Sequence, residues 1–335
     1  MRAILLDRPG PVETLHPGEI PIPPVAPDDV RVRVHAVGLN PVDYKFAEVG
    51  NGIATWPHVL GVDIAGTIDA VGTGVSGWRI GQRVACFGDP WRRGGFADYA
   101  VVKAGALAIV PDTMSFETAA ALPTAGLTAY QIVHRKMAAR GPQTVLVFGI
   151  SGGVGGLAVQ IAKAAGHRVI AVAAQERAEL AGQLGADAVV APGASLKATL
   201  GTLTDGRFAD LVIDTISPDN PDDVLDLVTF NGALASIVGF PDFSRLRWFE
   251  RGISIHEIAL GAAYRFGHPA DIADLGAMLS ELFALVRQGK VRANIGETVG
   301  FAEIPDALAR LRLRQTKPGK IVATVFPGST AESAP

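Results

Sequence analysis

Val145-Leu-Val-Phe-Gly149-Ile-Ser-Gly152-Gly153-Val154-Gly155-Gly156 says more about the fold than any other stretch of this chain. A short apolar run enters it, glycines fill its middle, and a helical pattern from Val154 to Ala165 leaves it. Strand, glycine turn and helix in that order is the setting in which a dinucleotide fingerprint carries weight. Glycines there let the backbone approach a diphosphate, and the helix N-terminus offers free N–H groups and a positive dipole. The spacing is G-x-x-G-x-x-G rather than G-x-G-x-x-G. The other reading of this stretch is a plain glycine-rich turn between strand and helix.

Downstream, apolar strand patterns at Arg168–Ala173, Ala188–Val190, Leu211–Asp214 and Ala233–Val238 are interleaved with a helical pattern at Glu176–Leu184. Such alternation predicts βαβ units and a parallel sheet. After the second strand comes Ala173-Ala174-Gln175-Glu176-Arg177. The strand end is neutral, so nothing there repels a 2′-phosphate, and the Arg177 guanidinium could fork onto one. This favours NADPH. Glu176 argues the other way, and Arg177 could equally be a solvated helix residue.

Upstream the pattern differs. Val30-Arg-Val-Arg-Val-His-Ala-Val37 alternates, and Asp63–Val71 and Gln82–Phe87 are further strand candidates between glycine-rich turns. Short strands with turn signals predict a barrel-like or sandwich-like domain. The change comes near Ser115, which is placed to cap a helix. The chain closes with helices at Ile272–Arg287 and Ile304–Leu313, a strand at Lys320–Phe326, and a small polar tail at Gly328–Pro335 that is expected to be disordered.

Length (335 residues) fits two domains, and a net charge of -3 offers no basic surface for nucleic acid or membrane. A single cysteine, Cys86, excludes an internal disulfide and a multi-cysteine zinc site. The N-terminal apolar run is too short for a signal peptide, and no apolar run reaches about 18 residues, so the expected location is cytoplasmic. Arg92-Arg93 reads as a solvated loop pair, and His35, on the polar phase of its strand, is given no role.

Five further runs stand out: Gly38-Leu-Asn40-Pro41-Val-Asp43-Tyr44, Leu60-Gly61-Val-Asp63-Ile-Ala-Gly66, Gly94-Gly-Phe-Ala-Asp-Tyr99, Pro123-Thr-Ala-Gly126-Leu-Thr128-Ala-Tyr130 and Gly319-Lys320-Ile-Val. Together they resemble the medium-chain dehydrogenase/reductase superfamily. The resemblance spans nearly the whole chain and is nearest the zinc-free quinone oxidoreductases. It implies an α/β fold: a GroES-like β-barrel domain from residues 1–123 and 266–335, with an inserted Rossmann doubly wound parallel sheet at residues 124–265. It also implies a homodimer or homotetramer formed through the strand in Gly252–Ile258.

Zinc-dependent members carry Cys where this chain has Asn40, and Gly-His-Glu where it has Gly61-Val62-Asp63, so the resemblance implies no metal. Hydride transfer from NADPH to an electrophilic quinone or enone does not need that Lewis acid. By the same resemblance Asn40 is an amide donor to the substrate carbonyl and Tyr44 a candidate oxyanion donor. Each has a plainer alternative, a turn residue before Pro41 and a packing residue respectively. Gly149, Gly152, Gly153 and Val154 would hold the diphosphate and Arg177 the 2′-phosphate. Thr128 would lie beside the nicotinamide and Val238-Gly239-Phe240 at its carboxamide. Trp56, Trp91 and Phe240 could line an apolar pocket or simply pack. Two further functions stay open: a pathway enoyl-thioester reductase, and an NADPH-binding sensor with little turnover.

Overall fold

The computed structural model describes residues 1–50, 52, 55–137, 141–216, 224–239, 241–247 and 249–326. Phe240 and the tail at Gly328–Pro335 lie outside them. The chain divides into two compact units. Unit 1 is Met1–Thr124, Gly261–Phe283 and Ile295–Pro335, and unit 2 is Ala125–Leu260 and Ala284–Asn294.

In chain order, unit 1 begins with a two-stranded antiparallel ribbon, β1 (Arg2–Leu5) and β2 (His16–Glu19). The long strand β3 (Asp29–Gly38) follows, then helix α1 (Pro41–Val49), β4 (Asp63–Val71), β5 (Arg83–Phe87), β6 (Tyr99–Lys103), β7 (Ala108–Ile109) and helix α2 (Phe116–Ala120). Unit 2 supplies α3 (Pro123–Gln131, whose first two residues belong to unit 1), β8 (Thr144–Phe148), α4 (Gly153–Ala164), β9 (Arg168–Val172), α5 (Ala178–Leu184), β10 (Ala188–Val190), α6 (Leu196–Leu203), β11 (Ala209–Asp214), β12 (Val228–Ser236) and β13 (Ser254–Glu257). The chain then forms α7 (Ala262–Phe266), α8 (Pro269–Arg287), β14 (Ile295–Gly300), α9 (Ile304–Arg312) and β15 (Lys320–Thr324).

The large sheet of unit 1 runs β14-β15-β3-β4-β5-β7, with β6 also paired to β3. Two strands share one edge of β3: β6 along Asp29–Arg33 and β15 along Ala36–Gly38. The alternation seen in the sequence has its expected cause, since Val30, Val32 and Val34 are fully buried in the core while Arg31 and Arg33 point away from it. That core also gathers Ile4, Leu6, Ile64, Ile68, Phe96 and, from the far end of the chain, Leu308 and Ala323.

The sheet of unit 2 is wholly parallel, ordered β10-β9-β8-β11-β12-β13. The first strand of the series, β8, lies in the middle and the order reverses beside it, between β8 and β11. That reversal is the point at which open α/β sheets bind ligands, outside the carboxyl ends of the strands. Helix α6 has no counterpart in the sequence reading, and the helix expected from Glu176 begins at Ala178 after a single tight turn.

One surface expectation is corrected. Arg92 is not a solvated loop charge: it forks onto Asp29 at 3.2 and 2.8 Å, and Asp29 is 1% exposed. Arg93 donates to the Pro57 carbonyl. His35 is half-buried and stacks on Phe116 with ring centroids 4.4 Å apart. Among the described residues no helix is long and apolar enough to cross a membrane.

Candidate functional site

Three adjacent strands of unit 1 build a buried polar cluster. In the β15-β3-β4 register Gly38 stands opposite both Val322 and Asp63. Two residues beyond Gly38 lies Asn40, and two residues before Val322 lies Lys320. Asn40, Asp63 and Lys320 therefore meet by register alone. Gly38 has to lack a side chain here, because a Cβ would come 2.3 Å from the Ala120 carbonyl and 2.9 Å from Asp63 Oδ2.

The contacts within the cluster are dense. Lys320 Nζ donates to Asn40 Oδ1 and, at 2.8 Å, to Asp63 Oδ2. Asn40 Nδ2 donates to Asp63 Oδ2 at 2.9 Å and to the Gly38 carbonyl at 3.2 Å. Thr124 gives Asp63 Oδ1 both its backbone N–H (2.7 Å) and its hydroxyl (2.5 Å). The Asn40 N–H donates to Asp43 Oδ2 at 2.8 Å, which ties down the first turn of α1 where Pro41 fits without needing a donor. Asn40, Asp43, Asp63 and Lys320 are 2%, 2%, 0% and 7% exposed. Burial, with the Asp63 charge beside it, pushes the Asp43 carboxyl up to about 7, against the pull of the Asn40 N–H and the Lys320 ammonium.

Of the two residues expected to face substrate, Asn40 thus lies in this cluster with both amide hydrogens engaged. Tyr44 lies elsewhere, half-buried at the edge of the core with Glu48, Arg312 and Arg314 as its charged neighbours, and burial raises its phenol. Trp91 packs edge-on to Phe46 beneath the Arg265 guanidinium, and Trp56 sits edge-on to His58. Asp63, Thr124 and Lys320, the partners of Asn40 in this cluster, were not singled out from the sequence. Their signal was present, since Asp63 and Lys320 each stand at the buried start of a strand, where a charge needs a partner.

In unit 2 the parallel strands carry the other expected residues to one edge. Gly149 follows β8, Arg177 follows β9, and Val238 and Gly239 follow β12, all beyond carboxyl ends. Gly149 adopts φ +72°, and a Cβ there would come 2.1 Å from Thr215 Oγ1. Gly155 faces the Gly149 carbonyl, 2.3 Å from where its Cβ would be, so it is a close-packing glycine. Gly152 differs: it is exposed, and a Cβ would meet only the Gly149 carbonyl, at 3.4 Å. As the N-cap of α4, Gly152 brings no side chain to the first-turn N–H groups of Gly153, Val154 and Gly155. Arg177 is exposed and makes no side-chain hydrogen bond or ion pair among the described residues. Thr128 is buried on α3.

The GroES-like domain model of alcohol dehydrogenases matches residues 26–112, and the model described as zinc-binding dehydrogenase matches residues 153–280. The chain belongs to the medium-chain dehydrogenase/reductase superfamily and is an oxidoreductase. Among its relatives is a quinone oxidoreductase of Pseudomonas aeruginosa, 32% identical over 298 residues that cover 87% of this chain and 89% of that one. Another is the mitochondrial NAD(P)H oxidoreductase RTN4IP1 of Danio rerio, 29% identical, covering 90% and 84%. A solved alcohol dehydrogenase superfamily protein from Novosphingobium aromaticivorans superposes with a TM-score of 0.86 at 29% identity, covering 97% of this chain and 100% of that one. Cys86, the chain's one cysteine, falls outside residues 153–280, and no group of three or more His, Cys, Asp or Glu among the described residues is arranged to hold a metal.

Proposed function

We propose that this protein is a zinc-independent, NADPH-dependent reductase acting on a quinone or on an activated alkene or carbonyl. The observation that carries the reading is the glycine turn between β8 and α4, set where the strand order reverses and leaving bare backbone at Gly152. A nicotinamide dinucleotide fits these residues. Its diphosphate would be held by Gly149, Gly152, Gly153 and Val154, where uncapped N–H groups and the helix dipole favour an anion. Arg177, with no competing partner among the described residues, would take the 2′-phosphate. Thr128, Val238, Gly239 and Phe240 would hold the nicotinamide end. When bound, the cofactor supplies a hydride to the acceptor. The relatives' names, one a quinone oxidoreductase and one an NAD(P)H oxidoreductase, support both the cofactor class and the acceptor class.

Zinc does not fit the cluster around Asn40. Zinc sites take Cys, His or carboxylate ligands. Here an amide stands at Asn40 and valine at Val62, and an ammonium sits on Asn40 Oδ1 and Asp63 Oδ2. The chain's own residues order and shield this region, and a proton can reach the product from water. Cytoplasmic placement and pairing of two copies along the edge strand β13 belong to the same proposal. Fluorescence titration of the purified protein tests it: NADPH should bind at least tenfold more tightly than NADH. Absence of binding by either would refute it.

A further inference from the structure

Past its last register pair, the pairing of β8 with β11 is continued by a side chain. Ile213 stands opposite Val147. Two residues further along each parallel strand, the same register brings Thr215 beside Gly149. There the Thr215 hydroxyl donates to the Phe148 carbonyl at 2.9 Å. Phe148 is the last residue of β8, and its carbonyl belongs to the peptide that leads into Gly149. The bond therefore fixes the orientation of that peptide where the chain leaves the sheet. Gly149 takes φ +72° immediately after it, a conformation that costs glycine little. The Gly149 carbonyl then accepts the Gly152 N–H at 3.0 Å, and the Gly152 carbonyl accepts the Gly156 N–H at 3.0 Å. A continuous series of bonds thus runs from Thr215, through the glycine turn, into the first turn of α4. Thr215 is itself held by its neighbours, since Asp214 is 0% exposed and accepts the Ile216 N–H at 2.9 Å. A valine at 215 would keep the shape of the side chain and take this donor away from the Phe148 carbonyl.

We propose that Thr215 is a positioning residue for the cofactor diphosphate. Its hydroxyl sets the peptide that follows β8, and through it the direction of the N–H groups of Gly153, Val154 and Gly155. The assignment rests on the nucleotide reading above and adds to it a residue from β11, across the point where the strand order reverses. Thr215 acts through the turn on the part that NADPH and NADH share. Its loss therefore shifts both affinities together and leaves the preference between them unchanged, whereas Arg177 bears on the 2′-phosphate alone.

The test compares T215V, T215A and T215S in the full chain. Valine keeps the volume and drops the hydroxyl, alanine drops both the hydroxyl and the methyl, and serine keeps the hydroxyl and drops the methyl. Two quantities are read: the Kd of NADPH and of NADH by fluorescence titration, and amide hydrogen exchange over residues 149–156 of the nucleotide-free protein. T215V and T215A should weaken both cofactors by about tenfold, the scale of one hydrogen bond, while T215S stays within about threefold of wild type. The ratio of the two Kd values should not change, and exchange in the turn should be faster in T215V and T215A alone. If T215V folds poorly because its added methyl crowds Gly149, the comparison of T215A with T215S carries the test. Serine and alanine behaving alike, or valine behaving like wild type, would assign Thr215 to packing and overturn the proposal; a loss confined to NADPH would overturn it too. If wild type binds neither cofactor, the nucleotide reading itself fails and the diphosphate role goes with it. Wild-type binding that T215V and T215A leave untouched overturns the role of Thr215 alone.

Discussion

His58 offers a sharp test of the physical account, because it is 1% exposed. Its backbone is fixed on both sides by Leu6. Burial, helped by the Arg93 guanidinium and against the pull of the Thr55 backbone, pushes the imidazole from 6.5 down to about 4. The unfolded chain therefore takes up a proton near pH 6.5 that the folded chain refuses until near pH 4. Stability due to this group is full above 6.5 and is lost as pH falls through that window, to a limit of roughly 3 kcal/mol. Between pH about 7.5 and about 5 the loss is about 2 kcal/mol. Asp43 acts oppositely. Its folded carboxyl titrates at about 7 against an ordinary 3.8, so the folded state binds the proton first and gains stability as pH falls. In wild type the two trends offset each other, and a pH scan of wild type alone hides both. His58→Phe keeps the ring and removes the titration. Urea unfolding followed by tryptophan fluorescence, chiefly Trp56, Trp78 and Trp91 of unit 1, should show the variant gaining about 2 kcal/mol on wild type from pH about 7.5 to about 5. A difference that is the same at both pH values would refute the reasoning.

Arg177→Ala should weaken NADPH by roughly tenfold or more, the scale of a charge-assisted hydrogen bond, and leave NADH nearly unchanged; equal weakening of both removes the 2′-phosphate role. Two glycines of one turn should behave differently. Gly152→Val should fold with a near-native melting temperature and lose nucleotide binding, because its side chain meets open space where the diphosphate would lie. Gly155→Val should destabilise unit 2 itself by several kcal/mol, because its Cβ collides with the Gly149 carbonyl; circular dichroism melts distinguish the two. Cys86 is fully buried and its thiol is pushed up by burial, so a thiol reagent should leave the native protein unlabelled and react only after denaturant is added.

The parallel sheet was legible because its strands are buried on both faces and read as apolar runs, as at Val145–Phe148 and Leu211–Ile213. The β3 strand was legible through its two-residue alternation. Helix α1 was not, because Asn40-Pro41 reads as a turn, and Pro at the first helical position serves both. Helix α6 was missed because Leu196–Leu203 buries only Leu196 and Leu200, too few for a clear period. Asn40 was singled out in the sequence, yet its partners in the buried cluster were not. Lys320 lies 280 residues away along the chain, and only the β15-β3 register brings it in. Pairings of that kind depend on which strands become neighbours, which local pattern does not encode.

The central claim meets its most direct test in the loss of nicotinamide absorbance with NADPH, and then NADH, against an aromatic ortho-quinone and a simple enone, with and without a metal chelator. The account predicts turnover that prefers NADPH and is indifferent to the chelator. Turnover that the chelator abolishes and added zinc restores, or equal rates with the two cofactors, would contradict it.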